Sequence, residues 1–143
     1  MVEKFGLLPL RAHSILLSAW ANATGSGAAK SARLIDTEID NATVVGPLPR
    51  YYLGLAAEVM LAAGRPADGL AHLDRAIAML DEPGVGLYVP ELYRLRGECL
   101  LALNRRNKAK AKQAFKIARD VAREQGATLF EGRANTRLLE TGE

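Results

Sequence analysis

The chain is poor in the residue types that carry most chemistry. Its single cysteine, Cys99, can form no internal disulfide, so a reducing, cytoplasmic setting is expected. Its two histidines, His13 and His72, have no cysteine or carboxylate at metal-ligand spacing, so both are read as surface or groove residues and no metal or other cofactor is expected. Aromatic residues make up 6% of a sequence that is 49% apolar and rich in Ala and Leu, which favours closely packed helices over a β-sandwich. No apolar run approaches the roughly 20 residues that span a bilayer. The opening segment interrupts its short apolar stretch with Pro9, Arg11 and His13, which does not make a secretory signal. Without secretion, the glycosylation sequons at Asn22 and Asn41 are idle.

What is present is helix, cut into lengths by Gly and Pro. No segment alternates with period two for long enough to make a strand. Helices are expected over about residues 8–23, 26–42, 50–63, 66–81, 90–103, 107–125 and 128–140. Gly25-Ser26-Gly27 stops the first, and Ala28, Ala32, Ile35 and Ile39 form the apolar stripe of the second. The stretch Val44 to Pro49 reads as a connector, because two prolines and a glycine forbid a continuous helix. Gly64 and Gly126 suit left-handed C-terminal positions, and Pro66 suits a first helical turn. Pro83, Gly84 and Gly86 break the chain again before Pro90. Asn107 is the expected cap of the sixth helix, and Thr128 with Glu131 reads as a capping box for the last.

The third to sixth of these helices repeat one pattern. Ala57 lies twelve residues before Gly69, with Leu73 and Ala76 four and seven further on. Gly97 lies fourteen before Ala111, and Phe115 and Ala118 again follow at four and seven. Small residues let antiparallel helices approach closely, while the large ones fill the seam. This resembles the tetratricopeptide repeat (TPR), whose signature sets three small positions and a large one between the last two. The second copy departs by a two-residue insertion around Asn104-Arg105-Arg106-Asn107, and neither has the closing proline in place. Residues 8–42 would be a degenerate further copy, with either Ser18 or Ala19 at its first small position. The resemblance implies a single domain over residues 1–143. It would be an all-α, right-handed solenoid of about three helix hairpins, at 8–42, 50–81 and 90–125, plus a capping helix at 128–140.

The phrases AAGRPADGLAHLDRAIAML, ELYRLRGECLLAL and AKQAFKIARDVAREQGATLFEGRANTRL also look like the C-terminal repeats of large bacterial signalling ATPases. Those repeats follow a nucleotide-binding module joined to a nucleotide cyclase or to a helix-turn-helix regulator. The resemblance implies a sensor or scaffold, and fits both a portion of a larger regulator and a free-standing relative. It transfers no ATPase or cyclase activity, because none of the motif residues is here. Thr24 to Ser31 comes nearest to a phosphate-binding loop, but Thr24 and Ala29 stand where glycines are required and no strand precedes it. Glu58, Glu91 and Glu98 lack a His or Lys constellation that would make a base or nucleophile. No enzyme is expected. Cys99 shares a face with Leu92, Leu95 and Ala102 and reads as a small core residue rather than a reactive thiol.

First helices of the resembled repeat line a concave groove. Carried onto this chain, the groove positions are Tyr51, Gly54, Glu58 and Leu61, then Glu91, Arg94, Glu98 and Leu101. Such a row can anchor a protein or peptide partner through an aromatic contact and charge-assisted hydrogen bonds. Equally, Arg94 can pair internally with its flanking glutamates and merely stabilise the stack. Trp20 reaches either the groove or the core according to the register of the first copy, and packing against its neighbours is the expectation. Charge is uneven: residues 1–90 carry a net −2, residues 91–125 a net +6 and residues 126–143 a net −1. Lys108, Lys112, Lys116 and Arg119 fall three or four apart and read as the solvated back of the sixth helix. Two alternatives follow: a basic nucleic-acid-binding adaptor using the 105–123 face, which lacks interleaved aromatics, and a homo-oligomer formed through an exposed apolar end. No membrane partner is expected.

Overall fold

The computed structural model describes residues 2–44, 49–79 and 86–142. Within them the chain is all-α: α1 Val2–Ala21, α2 Gly27–Val44, α3 Pro49–Ala62, α4 Pro66–Ala78, α5 Val89–Leu103, α6 Lys108–Gln125 and α7 Thr128–Glu140. A 3₁₀ turn, Arg105–Asn107, precedes α6, and no strand occurs among the described residues. These bounds lie close to those expected, except that α1 begins well ahead of Pro9. Most of the expected connector, Val45–Leu48, and the expected break at Pro83 and Gly84 lie outside the described residues.

Glycine ends two helices in the expected way. Gly64 has φ +71° and Gly126 φ +69°, a region closed to most residues by their Cβ. At Gly64 the Arg65 N–H reaches back to the Met60 carbonyl at 2.8 Å, and at Gly126 the Ala127 N–H reaches Ala122 at 2.8 Å. Both are the six-to-one bond that satisfies an otherwise orphaned carbonyl. The two expected N-caps lack their side-chain bonds. Asn107 takes the expected N-cap position of α6 but closes the 3₁₀ turn and donates its side-chain amide to the Leu100 carbonyl at 3.0 Å. Asn104, extended at φ −163°, instead accepts from the Arg106 N–H at 2.9 Å. Thr128 lies inside α7, and its expected capping partner Glu131 is held by Arg123 at 2.9 Å.

The small-and-large pattern becomes the packing. All eight residues of the aligned pattern, from Ala57 to Ala118, are buried. A Cβ on Gly97 would lie 2.5 Å from the Phe115 ring, and one on Gly69 3.0 Å from Cys99 Sγ. The main core joins Leu16 of α1, Ile35 of α2, Leu53 and Met60 of α3, Leu73 of α4 and Leu92 of α5. A second cluster places Phe115 of α6 with Leu100 and Leu138. In α1, Ala19 is buried whereas Ser18 is exposed, which makes Ala19 the small residue at the helix crossing.

Helices pack in series, each against its neighbours along the chain. In addition α1 touches α3, α3 touches α5 and α5 touches α7. Among the described residues no corresponding contact joins α2 to α4 or α4 to α6. The odd-numbered helices therefore crowd together on one face while the even-numbered ones stand apart behind them.

Candidate partner-binding face

The expected groove residues fall on this shared face, but much of their polarity is already used. Arg94 presents Nη2 to Glu91 at 2.9 Å and its Nε to both Glu91 oxygens at 3.1 and 3.2 Å. Its remaining nitrogen lies 3.6 Å from Glu98, and Glu58 is 3.9 Å away on α3. Internal pairing of Arg94, one of the two readings left by the sequence, is thus realised. Burial pulls the guanidinium pKa down, but the Glu91 hydrogen bond and the carboxylates of Glu91, Glu98 and Glu58 hold it above its ordinary value. Glu91 is 1% exposed, so it supports the face from beneath and offers nothing to a partner. Gly54 is likewise covered, by the Tyr88 ring, which would lie 2.5 Å from an added Cβ. Leu61 and Leu101 are half-buried against the two apolar clusters, and Tyr51 is half-buried at the edge.

Helix α7 completes the face with residues not singled out from the sequence. Arg133 reaches Glu91 at 3.2 Å, and Arg137 grips Glu98 at 2.5 and 2.9 Å. Arg137 also pairs with Glu140 on its own helix. Phe130, Arg133, Arg137 and Glu140 have the same three-four-three spacing as Tyr51 to Leu61 and Glu91 to Leu101. That shared spacing was legible in the sequence and would have found them. On α1, His13 and Trp20 are the corresponding contributors. Trp20 is 44% exposed rather than packed away, and its indole N–H donates to the Glu58 carboxylate. An ionic row so runs across four helices, from Trp20 and Glu58 through Arg94 to Glu98 and Arg137.

A line of rings runs beside it. His13 stacks on Tyr52 at 4.3 Å and donates its Nε2–H to the Ala42 carbonyl at 3.1 Å. Tyr51 meets Tyr88 edge-on at 5.0 Å, and Tyr88 meets Phe130 at 6.4 Å. Burial, then the nearby charges of Glu58 and Glu91, push the Tyr88 phenol well above its ordinary pKa, so it remains a neutral hydroxyl. Edge-to-face rings and bidentate ion pairs both fix side-chain geometry.

Elsewhere the candidate groups are quiet. Cys99 is buried, and burial followed by the charges of Glu98 and Asp74 pushes its thiol up to about 12. It therefore packs as a small apolar residue. His72 is half-buried on α4, away from the shared face. Of the basic row on α6, Lys112 donates to the Gly142 carbonyl at 2.7 Å, and Arg119 pairs with Asp120 at 2.9 Å. Among the described residues no group of His, Cys, Asp and Glu could hold a metal ion, and no helix is long and apolar enough to cross a membrane. No family model, curated protein or solved structure matches the chain.

Proposed function

We propose that this chain is a non-catalytic, TPR-like scaffold that binds a protein or peptide on its odd-helix face. The finer architecture belongs to the same reading: a right-handed solenoid of about three hairpins capped by α7, serving bacterial signalling or transcription regulation in the cytoplasm. The resemblance of the repeated small-and-large pattern supports the architecture. The observation that carries the function is that one face gathers rings and charged side chains from four helices and holds them in place. A surface fixed in advance loses little side-chain entropy when a partner arrives.

Selection from a random displayed-peptide library tests this. Chosen peptides are expected to lose at least about tenfold in affinity with Tyr51→Ala or Leu101→Ala. They should bind Leu34→Ala and Arg75→Ala, on α2 and α4, as they bind the parent. The reverse pattern overturns the proposal. Arg94 is a poor test residue, because removing it also strips Glu91 of its main partner.

Two further readings draw on particular surfaces. The nucleic-acid adaptor has less behind it, since Lys112 already donates to Gly142 and Arg123 to Glu131. Affinity for duplex DNA or RNA that falls steeply with salt and disappears on reversing Lys108, Lys112 and Lys116 would favour it instead. Self-association is favoured by Leu129 and Leu139, which stand 64% and 76% exposed on α7. Light scattering that shows only monomer across a wide concentration range removes that reading.

A further inference from the structure

A cavity of about 460 Å³ opens at one end of the ionic row, where the end of α1, the turn into α2 and the middle of α3 meet. Trp20, Ala21, Ala23, Thr24, Glu58 and Val59 line it. Its surface is mostly apolar, with one indole, one hydroxyl and one carboxylate. That carboxylate is unlike those of Glu91 and Glu98 on the same face. Glu91 has both oxygens bonded by Arg94, and Glu98 has both bonded by Arg137. Glu58 accepts the Trp20 indole N–H on Oε2, while among the described residues Oε1 has only the Arg94 guanidinium at 3.9 Å, beyond hydrogen-bond range. Among the described residues, no arginine hydrogen-bonds Glu58.

An apolar basin beside an under-used carboxylate favours one kind of occupant. An anion meets the Glu58 charge. A purely apolar group strips water from Oε1 and returns no hydrogen bond, which is costly. A group with an apolar stem and a cationic head satisfies both parts. We propose that the cavity receives a lysine or arginine side chain carried by the partner polypeptide. Its stem lies on Ala21 and Ala23, and its charge is shared between Glu58 Oε1 and the Trp20 ring. The indole bond to Oε2 fixes the ring as a wall of the site. This assignment rests on the polypeptide-binding reading above and adds the chemistry of one anchoring residue.

Trp20 is the chain's single tryptophan, so its emission and its indole N–H resonance report on this wall alone. The probes are capped Ala-Lys-Ala and Ala-Arg-Ala peptides, with norleucine and glutamate analogues and n-butylammonium as controls. Saturable shifts are expected with the Lys and Arg peptides. The norleucine analogue should bind at least about tenfold more weakly, whereas n-butylammonium, which has the same stem and head, should compete with the lysine peptide. Glu58→Gln keeps an oxygen for the indole N–H and should also lose about tenfold. Ala21→Leu, at an exposed position, should block the cavity in a folded protein and serves if the first variant unfolds. Equal responses to lysine and norleucine, retention of binding in both variants, or failure of n-butylammonium to compete with the lysine peptide would each overturn the proposal. A library-selected peptide that needs Tyr51 and Leu101 but binds Glu58→Gln normally would overturn this inference and leave the face-binding reading standing.

Discussion

Arg137 and Glu98, 39 residues apart in sequence, form a two-pronged pair: Nε to Oε1 at 2.5 Å and Nη2 to Oε2 at 2.9 Å. The same guanidinium lies over the Phe115 ring, 5.5 Å from its centroid. One side chain on α7 thereby joins the Glu98 carboxylate of α5 to a core residue of α6. Lysine can supply the charge but not the fork or the planar stacking surface. Arg137→Lys is expected to lower stability by about 1 kcal/mol, read as a reduced urea midpoint at unchanged slope.

Glu91 is nearly inaccessible and is held by Arg94 and Arg133. Removing it leaves Arg94 largely buried with only the more distant carboxylates of Glu98 and Glu58. Glu91→Ala should therefore cost about 2–3 kcal/mol, more than any exposed pair such as Arg75 with Asp40. Chemical unfolding of Glu91→Ala and Asp40→Ala side by side checks this ordering.

Gly97 is demanded by Phe115. Alanine there would put its Cβ 2.5 Å from the ring edge, and relief of such overpacking typically costs about 1–3 kcal/mol. Phe115→Leu should relieve part of that cost, so the double mutant is expected to be more stable than the sum of the single effects predicts. Additive effects would show that the ring moves aside freely.

Cys99 should resist thiol reagents in the folded protein. Its thiol is pushed up to about 12 by burial, then by Glu98 and Asp74, so almost no thiolate exists at neutral pH. Maleimide labelling is expected to follow the unfolding curve in urea. Rapid labelling without denaturant would contradict the packing.

His72 gives the protein a pH dependence of predictable sign. Burial lowers its pKa below the ordinary 6.5, aided by Arg75 and opposed by Asp68, Asp36 and Asp40. Above pH 6.5 the ring is neutral whether folded or unfolded, and no dependence arises from it. As pH falls below 6.5 the unfolded chain binds the proton first, so stability declines until the folded pKa is passed. His72→Gln should remove this decline, making the two stability curves parallel above pH 6.5 and divergent below it.

Much of the fold was legible from residue spacing. Gly64 and Gly126 mark their helix ends because only a residue without Cβ enters the left-handed turn cheaply, and that requirement is local. Ala57, Gly69, Gly97 and Phe115 could be placed in helix seams because a helix face repeats every three or four residues. Thr128 was misassigned as a cap, and Asn107 holds its cap position without the side-chain bond, because capping depends on backbone angles that neighbouring turns settle. Asn104 had the extended backbone that capping needs, and Asn107 did not.

The sequence by itself determined the all-helical character and the small-and-large seams, for which periodicity within one helix suffices. The rows Tyr51 to Leu61 and Glu91 to Leu101 came from the resemblance to the repeat family. Only the tertiary structure decided which polar groups on the rows are already taken. Arg94 answers Glu91, Arg133 and Arg137 arrive from α7, and Trp20 crosses from α1 to Glu58. Spacing within a helix says which way a side chain faces. Its partner is fixed by which other helix is packed opposite, and most of those partners lie some 40 residues away in the chain.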